Sequence, residues 1–168
     1  MESKRKRRLS NFAQFFGAQI VEMVAEGGTM PRSAYPELSS EVGGLILCID
    51  DNQDVLECEK AFLESFGYTV LTARGGGRGL ELASIHSVDV VIVDYSMPGM
   101  NGQEVAIEIR RLKPGAPIIM LSAVVDVPAQ ALQWVDAFVA KDHLASHLLP
   151  AIAQLHGGRL NAPPAYRA

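Results

Sequence analysis

The sequence lacks any apolar run of about 18 residues or more, so it contains no segment long enough to cross a bilayer. It also has few cysteines, and the spacing of the two present, Cys48 and Cys58, fits neither a metal site nor a redox motif. We therefore expect both to act as small core hydrophobes, which is compatible with a reducing, cytoplasmic location. No segment repeats along the chain, which argues against a repeat architecture.

Excess positive charge is also missing from most of the chain. The net charge is −4, and residues 1–43 hold six basic and five acidic side chains, leaving nine basic against fourteen acidic ones for residues 44–168. An acidic domain does not attract a phosphate backbone, which argues against nucleic-acid binding by the domain itself. A length of 168 residues with 48% hydrophobic content is sufficient for one buried core.

Residues 1–43 differ from the rest and are interpreted as a leader. Five consecutive basic residues, 4–8, precede apolar residues at helical spacing between Phe12 and Val24, and residues 29–43 are rich in proline and serine, as in a linker. A basic block before an amphipathic helix suits an anionic membrane surface or an acidic partner. Because such patterns are common, we expect instead that the helix packs on its own domain or on a second copy in a homodimer, or is a poorly ordered leader.

From residue 44 to residue 156, apolar strands alternate with amphipathic helices. The predicted strands are 45–49, 68–73, 90–93, 118–121 and 137–140, and the predicted helices are 54–66, 79–85, 102–112, 128–135 and one that begins near residue 146. Five β-α units predict an α/β fold, a parallel sheet with helices on both faces. We expect Pro150 in the first turn of the last helix, where proline is tolerated, and a disordered tail over residues 157–168.

Polar side chains stand at the carboxyl ends of four predicted strands: Asp50 and Asp51, Asp94, Ser122 and Lys141. In an open parallel sheet these ends meet at one edge, where ligands bind. Three neighbouring carboxylates repel one another unless a cation lies between them, and oxygen ligands without histidine or cysteine favour a hard ion such as Mg²⁺. With a lysine ammonium and a serine hydroxyl, the group could bind a phosphoryl group, and one carboxylate could act as nucleophile.

Residues 45–155 resemble the response-regulator receiver domain of two-component signalling, in particular the single-domain chemotaxis regulators. The resemblance depends on the acidic pair 50–51, the run Asp-Tyr-Ser-Met-Pro-Gly-Met-Asn-Gly at 94–102, the pair 122–123 and the run Phe-Val-Ala-Lys at 138–141. It implies a five-stranded (βα)5 sheet of the doubly wound, flavodoxin-like class with strand order 2-1-3-4-5, here with an N-terminal helical extension.

The resemblance also implies roles for the acidic residues. Asp94 would accept a phosphoryl group from a sensor histidine kinase or a histidine phosphotransfer protein. Asp51 would bind Mg²⁺ directly, Asp50 would act through water, and the backbone carbonyl of Ser96 would complete the protein ligands of a metal site that also includes Asp94.

By the same resemblance, Lys141 and Ser122 would contact the phosphoryl oxygens, and Ser122 and Phe138 would form a two-state switch. Phe138 has no hydroxyl to hydrogen-bond when exposed, so we expect its outward state to be weakly populated, or Phe138 to be an ordinary core residue. The family usually has proline after the lysine, often with a cis bond, where this chain has Asp142. A non-proline cis bond costs about 2.5–4 kcal/mol, so we expect a trans bond and a displaced Lys141.

The preferred function is a phosphoacceptor signalling module that acts on a downstream protein partner. It is not expected to be a conventional enzyme or to carry an output domain, since about a dozen residues follow the last helix. The alternative is a phosphorylation-independent adaptor. A third interpretation, a dinucleotide-binding unit around the glycine-rich residues 75–79, fits poorly because the spacing is not G-x-G-x-x-G and the acidic pair 50–51 would have no role.

Overall fold

Five parallel strands form one sheet in the computed structural model, which describes residue 22, residues 43–124 and residues 126–157. The strands are β1 (Leu45–Asp50), β2 (Thr69–Arg74), β3 (Val90–Asp94), β4 (Ile118–Ser122) and β5 (Ala137–Ala140), and their order in the sheet is β2-β1-β3-β4-β5. The helices are α1 (Gln53–Ser65), α2 (Gly76–Ile85), α3 (Gly102–Leu112), α4 (Ala129–Leu132) and α5 (Leu144–Gly157). The predicted fold class and strand order are confirmed.

The register of the sheet places two predicted site residues side by side. Ile49 of β1 pairs with Val93 of β3, so Asp50 and Asp94 follow on adjacent strands. The order of the strands reverses here, because β2 lies on one side of β1 and β3 on the other. This is the position at which open α/β sheets bind their ligands.

Two apolar layers cover the faces of the sheet. On one face, α1 and α5 pack on the strands through side chains such as Phe62 and Leu148, and on the other, α2 and α3 pack through side chains such as Leu82 and Ile109. Every residue of β3 and β4 is buried, as expected for parallel strands with helices on both sides. Both cysteines are buried thiols, as predicted.

The glycines before the second helix are explained by close packing. α2 begins at Gly76, three residues earlier than predicted. A Cβ at Gly76 would lie 2.6 Å from Cγ2 of Val105, and one at Gly79 would lie 2.4 Å from Cδ1 of Ile49. Residues without side chains therefore let α2 approach α3 and β1, and this packing outweighs the low helix propensity of glycine.

The predicted start of the last helix is wrong. α5 begins at Leu144 rather than near Ser146, so Pro150 lies inside the helix and not in its first turn. An internal proline costs about 3 kcal/mol because it removes a helical hydrogen bond and crowds the preceding turn. Four fully buried side chains of α5 offset this cost by packing on the sheet: Leu144, Leu148, Leu149 and Ile152. α4 is also shorter than predicted, at four residues.

Several predictions concern residues outside the described part of the chain. The leader helix lies there, except for Glu22, which is helical and exposed, and so do the linker up to residue 42 and the tail from residue 158. Gly157, predicted to open the tail, is the last residue of α5. None of the helices within the described ranges has the length and apolar character needed to span a bilayer.

Candidate functional site

Three carboxylates meet at the carboxyl ends of β1 and β3. Asp50 and Asp94 are the last residues of these strands and are 2% and 5% exposed, and Asp51 follows β1 with greater exposure. One oxygen from each of the three lies within 4.8 Å of the others, close enough to share a metal ion. The donor set consists of carboxylate oxygens, which fits Mg²⁺. The structure therefore brings together the three side chains predicted to bind the metal.

A single ammonium group bridges the two buried carboxylates. Lys141 Nζ lies 2.7 Å from Oδ2 of Asp50 and 2.7 Å from Oδ1 of Asp94. Among the described residues no peptide bond is cis, so the bond before Asp142 is trans, as expected. The expected displacement of Lys141 from the pocket is not observed. The reason is that Lys141 opens a 3₁₀ turn (Lys141–His143) directly after β5, which keeps its side chain at the strand ends.

Backbone N–H groups hold the carboxylate oxygens of Asp50 and Asp94 that do not contact Lys141. Asn52 N–H donates to Oδ1 of Asp50 at 2.8 Å, and Ser96 N–H donates to Oδ2 of Asp94 at 2.9 Å. The loop after Asp94 closes because Gly102 N–H donates to the Tyr95 carbonyl at 2.9 Å. A Cβ at Gly102 would lie 2.5 Å from the Asp94 carbonyl oxygen, so this loop requires glycine. The orientation of both carboxylates is thus fixed before any ligand arrives.

Burial and neighbouring charges shift the pKa values of Asp94 and Lys141 in opposite directions. Burial raises the pKa of Asp94, and the Lys141 ammonium beside it opposes that change. Burial by itself would lower the pKa of Lys141, but the carboxylates of Asp50 and Asp94 outweigh it and raise that pKa well above its usual value. Lys141 therefore stays charged and favours the ionised form of Asp94, the form that can act as a nucleophile.

The other predicted residues occupy neighbouring strand ends. Ser122 ends β4, is 1% exposed, and accepts a hydrogen bond from Val124 N–H through Oγ at 3.0 Å. Phe138 lies opposite Met120 in the register of β4 and β5 and is partly buried. The switching role of Ser122 and Phe138 and the metal-binding role of the Ser96 carbonyl stay predictions.

One residue near the site was not predicted. Glu59 of α1 is 1% exposed, and its Oε1 atom is the one buried side-chain oxygen or nitrogen in the described part of the chain without a hydrogen-bond partner. Burial raises its pKa to about 8. The spacing in the sequence indicates that residue 59 faces the core, because it is four positions after Val55 and three before Phe62, on the apolar face of the predicted helix.

Comparisons with known proteins agree with this geometry. The family model of the response regulator receiver domain matches residues 46–153. The transcriptional regulatory protein GlrR of Escherichia coli is 36% identical over 99 residues, which are 57% of this chain and 22% of GlrR. The response regulator SaeR of Staphylococcus aureus is 33% identical over 78 residues, which are 46% of this chain and 34% of SaeR. The chain thus spans about a fifth to a third of the length of these relatives.

Solved structures give the same result. The response regulator TrrA of Thermotoga maritima, in complex with Mg²⁺-BeF, is 34% identical with a TM-score of 0.64, covering 67% of this chain and 98% of TrrA. TrrA in complex with the histidine kinase ThkA matches with a TM-score of 0.61 at 33% identity, covering 67% of this chain and 97% of that TrrA chain. The family model covers more than half of the chain, and the site has the acidic cluster typical of the family. The chain belongs to the response regulator receiver domain family of two-component signalling.

Proposed function

We propose that this protein accepts a phosphoryl group on Asp94 in a Mg²⁺-dependent reaction, with a histidine kinase or a histidine phosphotransfer protein as donor. The observation that carries the proposal is the cluster itself, in which three carboxylates share one point and Lys141 bridges two of them at 2.7 Å. The complex of TrrA with ThkA supports the choice of donor, and the complex of TrrA with Mg²⁺-BeF supports the metal.

In the transfer step, a carboxylate oxygen of Asp94 forms a bond to phosphorus while the phosphorus–nitrogen bond of the donor phosphohistidine breaks. The bonding electron pair leaves with the imidazole nitrogen, and the product is an acyl phosphate on Asp94. Mg²⁺ would be held by Asp50, through water, and by Asp51, Asp94 and the Ser96 carbonyl. When bound there, it would supply positive charge to the phosphoryl oxygens.

Other residues of the chain orient Asp94 and bind the phosphoryl oxygens. Ser96 N–H and Lys141 orient the Asp94 carboxylate, because each holds one of its oxygens. Once Asp94 is phosphorylated, its carboxyl group no longer carries a negative charge, so Lys141 is drawn to the phosphoryl oxygens. Ser122 accepts a hydrogen bond through Oγ, which leaves its hydroxyl proton available for a phosphoryl oxygen.

We propose that Ser122, when its hydroxyl is drawn toward the phosphoryl group, alters the balance between two states of Phe138, which lies on the neighbouring strand β5. Signalling to a downstream protein would then follow from the changed surface around β5. The alternative, an adaptor that binds its partner without phosphorylation, is favoured by one observation: α4, which adjoins this surface in the chain, is reduced to four residues.

The experiment that separates these functions is an intact-mass assay with acetyl phosphate, with and without Mg²⁺. We expect one phosphoryl group on the wild type in the presence of Mg²⁺, none on Asp94→Asn, and an unchanged adduct on Asp126→Asn, which replaces an exposed carboxylate. The absence of an adduct on folded wild type would reject the phosphoacceptor function and favour the adaptor.

A further inference from the structure

Glu59 is a buried carboxyl group that the proposed reaction does not use. It lies on the face of α1 that packs on the sheet, next in sequence to the buried residue Cys58, and is 1% exposed. One of its oxygens, Oε1, has no hydrogen-bond partner within the described residues. A carboxylate with an unpaired buried oxygen is strongly unfavourable, whereas the neutral acid is tolerated.

Charged groups of the site face Glu59 from three elements. The Cys48 thiol and Asp50 of β1, Asp94 of β3 and Lys141 after β5 all influence its protonation. On its own helix, Lys60 acts on Cys48 but is half-exposed. Burial raises the pKa of Cys48 well above its usual value, so the thiol stays protonated. Of the two buried groups Cys48 and Glu59, it is therefore Glu59 that can change its charge near neutral pH.

We propose that Glu59 is a positioning residue that couples cation binding to proton release: it is neutral at rest, and loses its proton to solvent when Mg²⁺ binds among the three carboxylates. The inference rests on the proposed function, because it needs a cation among Asp50, Asp51 and Asp94. Because Asp50 and Asp94 already act on the charge of Glu59, a divalent cation bound between them would act on it with the opposite sign and favour its ionised form. The negative charge so created then attracts the cation more strongly.

The coupling between Mg²⁺ binding and the ionisation of Glu59 is reciprocal, since a single coupling free energy links the two equilibria. If Mg²⁺ favours ionised Glu59, ionised Glu59 must favour Mg²⁺ by the same factor. Mg²⁺ affinity should then rise as the pH approaches about 8, the pKa of Glu59 without Mg²⁺, and level off above it. Lys141 and Cys48 do not change charge in this range, because the pKa of each is raised above its usual value.

The first test is Mg²⁺ titration calorimetry of the full chain in two buffers of different ionisation enthalpy at pH 7.5. We expect the wild type and Glu57→Gln, which changes an exposed carboxyl on the same helix, to release a fraction of a proton per Mg²⁺. Glu59→Gln should release clearly less. From pH 6.5 to pH 9.0 the Mg²⁺ affinity of the wild type should rise about fivefold more than that of Glu59→Gln.

The second test observes the proton directly. In infrared difference spectra, Mg²⁺ should remove a protonated carboxylic acid band from the wild type, and this change should be absent from Glu59→Gln. If Glu59→Gln does not fold, Glu59→Leu gives the same comparison. Equal proton release and equal pH dependence in the wild type and the variant would overturn the inference.

The outcomes also separate this inference from the proposed function. The wild type could bind Mg²⁺ and be phosphorylated while its proton release is the same as that of Glu59→Gln. This outcome would support the proposed function and contradict the coupling. A folded wild type that binds no Mg²⁺ rejects the metal site and the coupling with it. A merely structural Glu59 would affect stability and leave the proton count of Mg²⁺ binding unchanged.

Discussion

Lys141 Nζ donates a hydrogen bond to Oδ2 of Asp50 at 2.7 Å, although the two residues are 91 positions apart in the sequence and their strands are separated by β3 and β4. Asp94 lies on β3, between them, and contacts the same ammonium group. One lysine from the edge of the sheet thus neutralises two buried carboxylates at its centre. The stability of the fold and the charge state of Asp94 therefore depend on the same contacts of Lys141.

We expect Lys141→Met to destabilise the protein by about 3 kcal/mol in the absence of Mg²⁺, because both carboxylates would remain buried without a counter-charge. Urea unfolding at pH 7 measures this change. Lys113→Met, which alters a partly exposed lysine in the turn before β4, is the matched control and should change stability by less than about 0.5 kcal/mol. Equal losses in the two variants would contradict the role of the bridge.

Asp51→Asn should weaken Mg²⁺ binding at least about tenfold, since it removes one of three carboxylate ligands. Without Mg²⁺ the variant should be as stable as the wild type or more stable, because one of three repelling charges is gone. Thermal unfolding with and without Mg²⁺ measures both effects through ligand stabilisation. An increase in Tm on Mg²⁺ addition as large as in the wild type would exclude Asp51 as a ligand, and Asp126→Asn provides the unaffected control.

Two glycines in α2 should respond to alanine in opposite ways. Gly79→Ala places a Cβ 2.4 Å from Ile49 Cδ1 and should cost about 1–3 kcal/mol through overpacking. Gly77→Ala meets nothing within 4 Å and should stabilise the helix by roughly 0.5–1 kcal/mol. Chemical denaturation of both variants measures the difference, and a gain in stability for Gly79→Ala would show that α2 can move away from β1.

The stability of the wild type should fall with rising pH because of Glu59. Its pKa in the fold is about 8 against an ordinary value of 4.5, so the folded state retains a proton that the unfolded state releases. The resulting stabilisation is complete below pH 4.5 and is lost as pH rises through about 8, a change of roughly 3–4 kcal/mol between pH 5 and pH 8.5. Urea unfolding of Glu59→Leu should lack this loss, and Glu57→Leu should retain it.

Pro150→Ala should stabilise the protein, by an amount between about 1 and 3 kcal/mol, because alanine restores a backbone donor inside α5 and relieves crowding in the preceding turn. The measurement is the shift in Tm. Pro114→Ala, in an exposed turn, is the comparison and should have little effect or a small destabilising one. A loss of stability in Pro150→Ala would indicate that α5 requires the proline for its packing.

The sequence predicted best the elements whose boundaries are set by local chemistry. The bounds of α3 were predicted correctly, since Asn101 caps the helix with Glu104 and a proline follows its end. The starts of α2 and α5 were wrong, because in both cases packing on the sheet outweighs the local cost of glycine or proline. Glu59 was missed because a long charged side chain on a helix normally reaches solvent, and periodicity does not reveal whether it does.

The sequence by itself determined the alternation of strands and helices and the polar residues that end each strand, since hydrophobic periodicity and turn residues are local properties. The rule that parallel strands share one carboxyl edge then grouped Asp50, Asp51 and Asp94 without coordinates. The tertiary structure alone decided that Lys141 bridges Asp50 and Asp94, and that Glu59 is buried with one oxygen unpaired. Such contacts depend on burial and on distances of a few ångströms between elements remote in the chain, which no local pattern specifies.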